Sequence, residues 1–255
     1  MQQRTLNSEA LIAIGRWMAR IGLSWPLIFA SGFYLVWLYK GADTTLLDPD
    51  TYMHITIGNW ILDHGAIPHT DLFSFSKAGA PWVAHEWLSD LLLALLYHAF
   101  GWNGLHLLTV GTGALTLAYI LRFQLVRQVP PIYALLFTFL ASTCLVTHLL
   151  ARPHLLCWPI LAFWFGQLLK AGEQRQTPPY ALALLMTLWA NLHGSFVLGL
   201  ALVPQLSIEA MVQRPREERL STLVAWGGFF LLAVSATLLT PWCWESLRFA
   251  YQLLT

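Results

Sequence analysis

Long apolar runs occupy most of this chain and restrict it to one class of fold. Seven of them approach the length of about 20 residues that a helix needs to cross a bilayer. They lie at about 22–39, 104–121, 132–150, 154–169, 179–192, 195–212 and 221–239. Hydrophobic residues make up 57% and charged residues 11% of the 255 residues, a balance that a single water-soluble core does not explain. The sequence therefore predicts an all-α polytopic membrane protein with about seven transmembrane helices, because helices satisfy their own backbone hydrogen bonds in lipid.

The remaining composition excludes several other classes of protein. A net charge of +1 and the lack of a basic stripe argue against a nucleic-acid partner. Cys144, Cys157 and Cys243 lie in or beside apolar runs, and we interpret them as small buried hydrophobic residues. Their odd number and their spacing predict neither a disulfide framework nor a metal-binding knuckle.

An eighth apolar stretch, 87–100, decides the predicted orientation. It is short and interrupted by Asp90 and His98, so we expect an interfacial helix that does not cross the membrane. Cytoplasmic loops are enriched in Lys and Arg, and with this assignment most of the 14 basic residues fall on one side. That cytoplasmic set is Arg4, Arg16, Arg20, Arg122, Arg127, Lys170, Arg175, Arg214, Arg216 and Arg219. Lys40, Lys77, Arg152 and Arg248 remain on the outer side.

The predicted organisation follows from these assignments. Residues 1–21 form a cytoplasmic amphipathic N-terminus and 22–39 form the first transmembrane helix. Residues 40–103 form a long first outer loop with interfacial helices at about 51–64 and 86–100. Six further transmembrane helices occupy 104–239, and 240–255 form an outer C-terminal segment.

Acidic residues stand at the predicted starts of both interfacial helices. Asp48 and Asp50 precede the first helix, with Asp50 as the predicted N-cap, and Gly65 supplies its stop. Glu86 lies at the start of the second helix. Helix N-termini favour carboxylates, or a nearby anion, so two acidic helix starts are expected to face one cleft. The alternative is that these acids only cap their helices.

A second outer group combines histidines with one arginine. His148, Arg152 and His154 surround the predicted outer end of the third span, and His193 joins the fifth and sixth spans. An arginine at this boundary pairs with an acid, snorkels to the interface or binds an anion such as phosphate. The histidines are either binding groups or interfacial polar tips.

Two segments of the first loop carry a family resemblance. They read DPDTYMHITIGNWILDHGAIPHTDLFS and GAPWVAHEWLSDLLLALLYHAFGWNGL, supported by ARPHL and WANLHGSFVLG. The chain resembles the N-terminal half of a GT-C superfamily membrane glycosyltransferase, of the RgtA/B/C/D-like or dolichyl-phosphate-mannose-protein mannosyltransferase type. The resemblance implies a GT-C-like fold and inverting transfer of a sugar from a polyprenyl-phosphate donor on the non-cytoplasmic face.

The resemblance also implies roles for particular residues. Asp48 or Asp50 would act as the general base, and Glu86 would be the second carboxylate. Many relatives carry a further acid in the second outer loop, where this chain has His148, Arg152 and His154 instead. From the residues themselves we expect Arg152, with His154 and His193, to bind the donor phosphate. Further candidates are His54, His85 and His148. A divalent cation, Mg²⁺ or Mn²⁺, is expected at Asp50 and Glu86, since oxygen ligands suit both ions.

Two alternatives to a self-sufficient enzyme stay open. Members of the family are longer than this chain, so a C-terminal half or a partner subunit is expected, and a non-catalytic or partner-dependent half-protein is one alternative. The other is a transporter or flippase-like protein, which predicts charged groups at mid-span and internal repeats. The expected location is the bacterial inner membrane, among its lipids, with the active face periplasmic or extracellular.

Overall fold

The computed structural model describes residues 24–252, and these residues are mainly helical. Residues 1–23 and 253–255 lie outside the described part, and so does the amphipathic segment predicted over 1–21. The helices are α1 (Trp25–Lys40), α2 (Ala42–Thr45), α3 (Asp50–His64), α4 (Trp87–Val126), α5 (Pro131–Val146), α6 (Pro153–Glu173), α7 (Leu184–Leu192), α8 (Phe196–Val212), α9 (Arg216–Thr237) and α10 (Trp244–Gln252), with a 3-10 turn at Tyr180–Ala183. Within the described range 24–252, β pairing is limited to one isolated bridge, which joins Thr70 and Pro81. The all-α prediction is confirmed for this part of the chain.

Prolines and glycines set several helix boundaries. Pro131 and Pro153 stand at the first positions of α5 and α6, where a missing N–H costs nothing. Gly65 ends α3 in the left-handed region, with φ 61°, as predicted. Gly101 interrupts α4 with φ 60° and ψ −152°, between the two apolar stretches that the sequence separates.

Three of the described helices have the length and composition of membrane spans. They are α4, α6 and α9, and three shorter apolar helical segments lie at Pro131–Val146, Tyr180–Leu192 and Phe196–Val212. These helices indicate a membrane protein, and the arrangement is compatible with a polytopic one. The number of seven spans stays a prediction.

Two buried clusters organise the packing. The larger one joins α6 to α9 around Trp164, Trp189 and Trp226. The smaller one joins α3, α4 and the residue before Arg152 through Ile55, Leu93, Leu105 and Ala151. This smaller cluster lies below the polar residues of the first loop and positions them.

Candidate functional site

The start of α3 presents two carboxylates in a defined geometry. Pro49 is the N-cap and Asp50 is the first helical residue, so the prediction of Asp50 as N-cap was wrong by one position. The Asp48 side chain performs part of that role, because its Oδ1 accepts the Asp50 N–H at 2.9 Å. This bond directs the other oxygen of Asp48 away from the backbone.

Arg152 lies against both of these acids. Its Nε is 3.1 Å from Oδ2 of Asp48, and its NH2 nitrogen contacts Oδ2 of Asp50. Of the three alternatives for this arginine, the structure shows the internal ion pair. The Arg152 side chain is still 33% exposed.

Backbone contacts fix Arg152 in this place. The Ala151 N–H donates to the Thr45 carbonyl at 2.9 Å, and the Thr51 hydroxyl donates to the Ala151 carbonyl at 3.0 Å. Ala151 and Thr51 are buried. These two bonds join segments about a hundred residues apart, and they align the N-terminus of α6, which Arg152 caps, with the N-terminus of α3.

Glu86 occupies the start of α4 beside two histidines. It is the N-cap residue, although its side chain caps no N–H. Its Oε1 lies 3.2 Å from Nε2 of His193 and 3.6 Å from Nε2 of His85. Burial raises the pKa of Glu86 to about 7, with Asp90 adding to the rise and His54 opposing it. The second oxygen of Glu86 makes no hydrogen bond within residues 24–252.

His193 lies against this carboxylate in a defined tautomer. Its Nδ1 accepts the Ser195 N–H at 3.0 Å, so the neutral ring carries its proton on Nε2, the nitrogen that lies 3.2 Å from Oε1 of Glu86. Burial, followed by the positive charges of His154, His85, His54 and Arg152, lowers the pKa of His193 to about 3. The ring is therefore neutral near pH 7, and both of its nitrogens are occupied.

The remaining predicted histidines differ in their placement. The His154 ring lies 6.2 Å from the His193 ring, and its Nε2 donates to the His148 carbonyl at 3.1 Å. The His148 side chain itself is exposed. His85 packs on Phe249 of α10, with ring centroids 4.7 Å apart, and burial lowers its pKa.

His54 and Asp90 form a buried pair, and the sequence predicted only one of the two as a site residue. Nδ1 of His54 lies 2.7 Å from Oδ1 of Asp90, and both side chains are almost fully buried. Burial opposes protonation of His54, but the hydrogen bond and charge of Asp90 outweigh it, so the pKa of His54 is raised. The sequence predicted His54 as a candidate and missed Asp90. Its spacing of four residues from Glu86 was the available signal, since it places both acids on one helix face.

Electrostatic interactions connect these groups into one cluster. His54 feels the charges of Glu86 and Asp48 as well as that of Asp90. His193 feels those of His154 and Arg152. Residues from the first loop, α3, α4, α6 and the α7–α8 junction thus share one electrostatic environment. That the two acidic helix starts face one cleft stays a prediction.

A second set of hydrogen bonds holds α7 against α4. The Trp87 indole donates to Oδ1 of Asn191 at 2.8 Å, and the Ser89 hydroxyl donates to the Leu192 carbonyl at 2.6 Å. The Asn191 amide donates in turn to the Leu239 carbonyl at 3.0 Å. These contacts place His193, the residue after Leu192, beside Glu86.

The predicted cation position stays a prediction. Asp50 contacts Arg152, whereas Glu86 contacts His193 and His85. Among the residues that the structure describes, no group of three or more His, Cys, Asp or Glu side chains is arranged to hold a metal ion.

Comparison of the chain with protein-family models, with curated proteins and with solved structures finds no match.

Proposed function

We propose that this protein is a GT-C-like membrane glycosyltransferase that moves a sugar from a polyprenyl-phosphate carrier to an acceptor hydroxyl. The observation that carries the proposal is the convergence of Arg152 with Asp48 and Asp50, beside Glu86 and its histidines. Sugar-phosphate chemistry needs a cation for the phosphate and carboxylates for hydroxyl groups. This cluster offers both on one side of the helices.

The proposed reaction is a single displacement. An electron pair of the acceptor oxygen forms the bond to the anomeric carbon, while the bond from that carbon to the phosphate oxygen breaks. The polyprenyl phosphate leaves with the bonding electrons, and the acceptor proton passes to a base. Inversion at the anomeric carbon follows from attack opposite the leaving group.

Arg152 is suited to hold the phosphate without releasing its acids. A guanidinium has five N–H donors, and the contacts to Asp48 and Asp50 use Nε and NH2. NH1 is then available to a phosphate oxygen. Because Nε2 of His154 donates to a carbonyl, His154 assists in binding the phosphate only when Nδ1 is also protonated.

The carboxylates differ in what they offer to a sugar. Asp48 uses one oxygen for the Asp50 N–H and the other for Arg152, so its role is to orient. Asp50 is 45% exposed, and Glu86 keeps one oxygen without a partner in the described part of the chain. We assign these two acids to hydroxyl groups of the substrates, and we assign His193 to positioning Glu86.

An apolar cavity supports a lipid-linked donor. It has a volume of about 470 Å³ and lies between α4, α5 and α6. Trp158 contributes to its wall, and the ring of Trp158 lies 5.7 Å from that of His154. An isoprenoid chain in this cavity would place its phosphate end at the polar cluster.

The charge distribution supports placing the reaction outside the cytoplasm. In the proposed seven-span topology, Arg152 and the acidic helix starts lie opposite the side that carries most basic residues. We place the protein in the bacterial inner membrane, with its active face periplasmic. A divalent cation at Asp50 and Glu86, and a partner subunit, belong to the same proposal.

The test is sugar transfer by the full chain in liposomes with radiolabelled polyprenyl-phosphate sugars. Arg152→Gln, Asp50→Asn and Glu86→Gln are expected to reduce transfer at least about 100-fold, since a preorganised electrostatic contact is worth that much. Adding EDTA and then Mg²⁺ or Mn²⁺ examines the cation, and co-purified proteins reveal a partner.

Asp63→Asn is the matched control, because Asp63 is an exposed acid near the opposite end of α3. It should retain wild-type transfer. Unchanged transfer in Arg152→Gln, Asp50→Asn and Glu86→Gln, with each variant folded, would exclude this site. A wild-type chain that transfers none of the sugars, alone and together with any co-purified protein, would exclude the function.

A further inference from the structure

The buried pair of His54 and Asp90 has the arrangement of an activated imidazole. Its Nδ1–Oδ1 distance is 2.7 Å, in the range of a charge-assisted hydrogen bond. An ionised carboxylate only accepts hydrogen bonds, so it fixes the ring proton on Nδ1. The neutral His54 ring then carries its lone pair on Nε2, the nitrogen that can accept a further proton.

Nε2 of His54 makes no hydrogen bond to the described residues and is not completely buried. Its ring makes no hydrogen bond within residues 24–252 besides the one to Asp90. Trp226 Nε1 is the one side-chain nitrogen or oxygen of the described residues that is fully buried without a partner. Nε2 of His54 therefore keeps some contact with the outside, although the residue as a whole is buried.

The surroundings stabilise a positive charge on this ring. Asp90 and Glu86 face it from α4, and Asp48 faces it from the loop before α3. The opposing groups are His85 and His193, whose protonation is disfavoured by the charge of His54. The charges of three acids thus act on this one imidazole.

We propose that His54 is the group that accepts the proton of the acceptor hydroxyl, with Asp90 as the residue that positions its ring. This inference rests on the proposed function. As the new bond to the anomeric carbon forms, the hydroxyl proton passes to Nε2, and the resulting imidazolium keeps its Nδ1–H bond to Asp90. The polyprenyl phosphate leaves with the electrons of the broken bond, so charge and protons balance.

The contacts of the other acids leave this role to His54. Asp48 has both oxygens engaged, and Asp50 lies against the guanidinium of Arg152. A carboxylate that already neutralises a cation is a weaker proton acceptor than an imidazole whose second nitrogen is directed by an acid. The carboxylates bind and orient, and the imidazole takes the proton.

The decisive variant is His54→Asn. An asparagine amide occupies the place of Nδ1 and can still donate to Asp90, but it has no base at the Nε2 position. We expect an unchanged melting temperature and a loss of transfer of at least about 100-fold, the usual size of a general-base effect. His98→Asn is the matched control, because the exposed His98 ring has Asn59 as its one hydrogen-bond partner within residues 24–252, and it should transfer normally.

Two further measurements separate proton transfer from structural support. In His54→Ala, added imidazole is expected to restore part of the transfer, and Asp90→Asn should lower kcat more than it raises KM. The wild-type rate should depend on the ionisations of both His54 and Glu86 as pH drops, and His54→Asn should keep only that of Glu86. The neighbouring Glu86 and His193 are present in both proteins, so the difference belongs to His54.

The outcomes distinguish this inference from the proposed function. If the wild-type chain transfers sugar and His54→Asn does so at the same rate, His54 is not the base. If His54→Asn loses transfer together with its melting temperature, and imidazole restores nothing in His54→Ala, the pair only joins α3 to α4. If the wild-type chain is inactive with all donors, the glycosyltransferase proposal fails and this role of His54 fails with it.

Discussion

Gly58 on α3 faces the backbone carbonyl of Asp90 on α4 at a distance that admits no side chain. A Cβ at Gly58 would collide with that carbonyl oxygen and would lie 2.6 Å from the Cβ of Ala94. The close approach of the two helices brings His54, one turn before Gly58, within hydrogen-bond distance of Asp90. The smallest residue in α3 therefore determines a contact of the candidate site.

Gly58→Ala should destabilise the protein by about 1–3 kcal/mol, the usual cost of overpacking between helices. The melting temperature in detergent measures this effect. Gly228→Ala in α9 is the control, since nothing lies within 4 Å of a Cβ there, and it should be neutral. Equal melting temperatures for the two variants would contradict the close packing of α3 on α4.

The ion pair of Arg152 and Asp48 should contribute more than an exposed pair. A double-mutant cycle with Arg152→Gln and Asp48→Asn is expected to give a coupling free energy of about 1–2 kcal/mol. Asp48 is 11% exposed. The comparison pair is Arg127 and Glu173, where the acid is 49% exposed, and we expect about 0.5 kcal/mol there. If the coupling free energy of Arg152 with Asp48 is no larger than that of Arg127 with Glu173, the contact does not hold the start of α3.

Glu86 should make stability depend on pH in a defined direction. Burial raises its pKa from an ordinary 4.5 to about 7, so the folded state binds the proton more tightly than the unfolded state. Its contribution to the free energy of unfolding is therefore most favourable below pH 4.5, falls as pH rises to about 7, and is constant above that. A contribution to the free energy of unfolding that rises with pH over this range would mean that the fold stabilises Glu86 as a carboxylate.

The difference between the wild type and Glu86→Gln isolates this contribution, because His54 and His193 titrate in both proteins. Unfolding is measured at pH 5 and at pH 8, and the wild type should lose more stability than the variant between them. Glu217→Gln, an exposed acid in the first turn of α9, should keep the wild-type dependence.

Asn191 should be required for the register of α7 against α4. Asn191→Ala leaves the Trp87 indole and the Leu239 carbonyl without their partner, which costs on the order of 1–3 kcal/mol for buried groups. Thermal unfolding measures the loss, and transfer should fall too, because His193 lies only two residues after Asn191 in the chain. Asn59→Ala, which removes one exposed bond to His98, should cost little. A similar loss in both variants would argue against this role.

Helix type and approximate position were predictable from local patterns. Apolar runs, the acids at helix starts and Gly65 are features of neighbouring residues, and α3 and α4 begin within a residue or two of the expected positions. The positions of Asp48, Asp50 and Glu86 at these starts were accessible for the same reason. The N-cap of α3 could not be predicted from the sequence, because Asp48 and Asp50 are both suitable cap residues, whereas the backbone geometry makes Pro49 the N-cap.

Asp90 shows what local sequence patterns do not predict. In the sequence it interrupts an apolar stretch, whereas in the fold it is His54's partner across 36 residues. A charged residue in an apolar helix indicates that a partner exists, but it does not identify the partner. That information depends on which helix packs against it.

The apolar runs by themselves predicted a helical chain and indicated a membrane protein, and they predicted that the acids and histidines lie in segments on the same side. Only the tertiary structure decided which of them meet: Arg152 with Asp48 and Asp50, His193 with Glu86, and His54 with Asp90. The physical reason is the distance along the sequence over which each kind of interaction acts. Helix formation depends on residues a few positions apart, whereas these pairs depend on how closely distant helices approach, which features such as Gly58 set through side-chain volume.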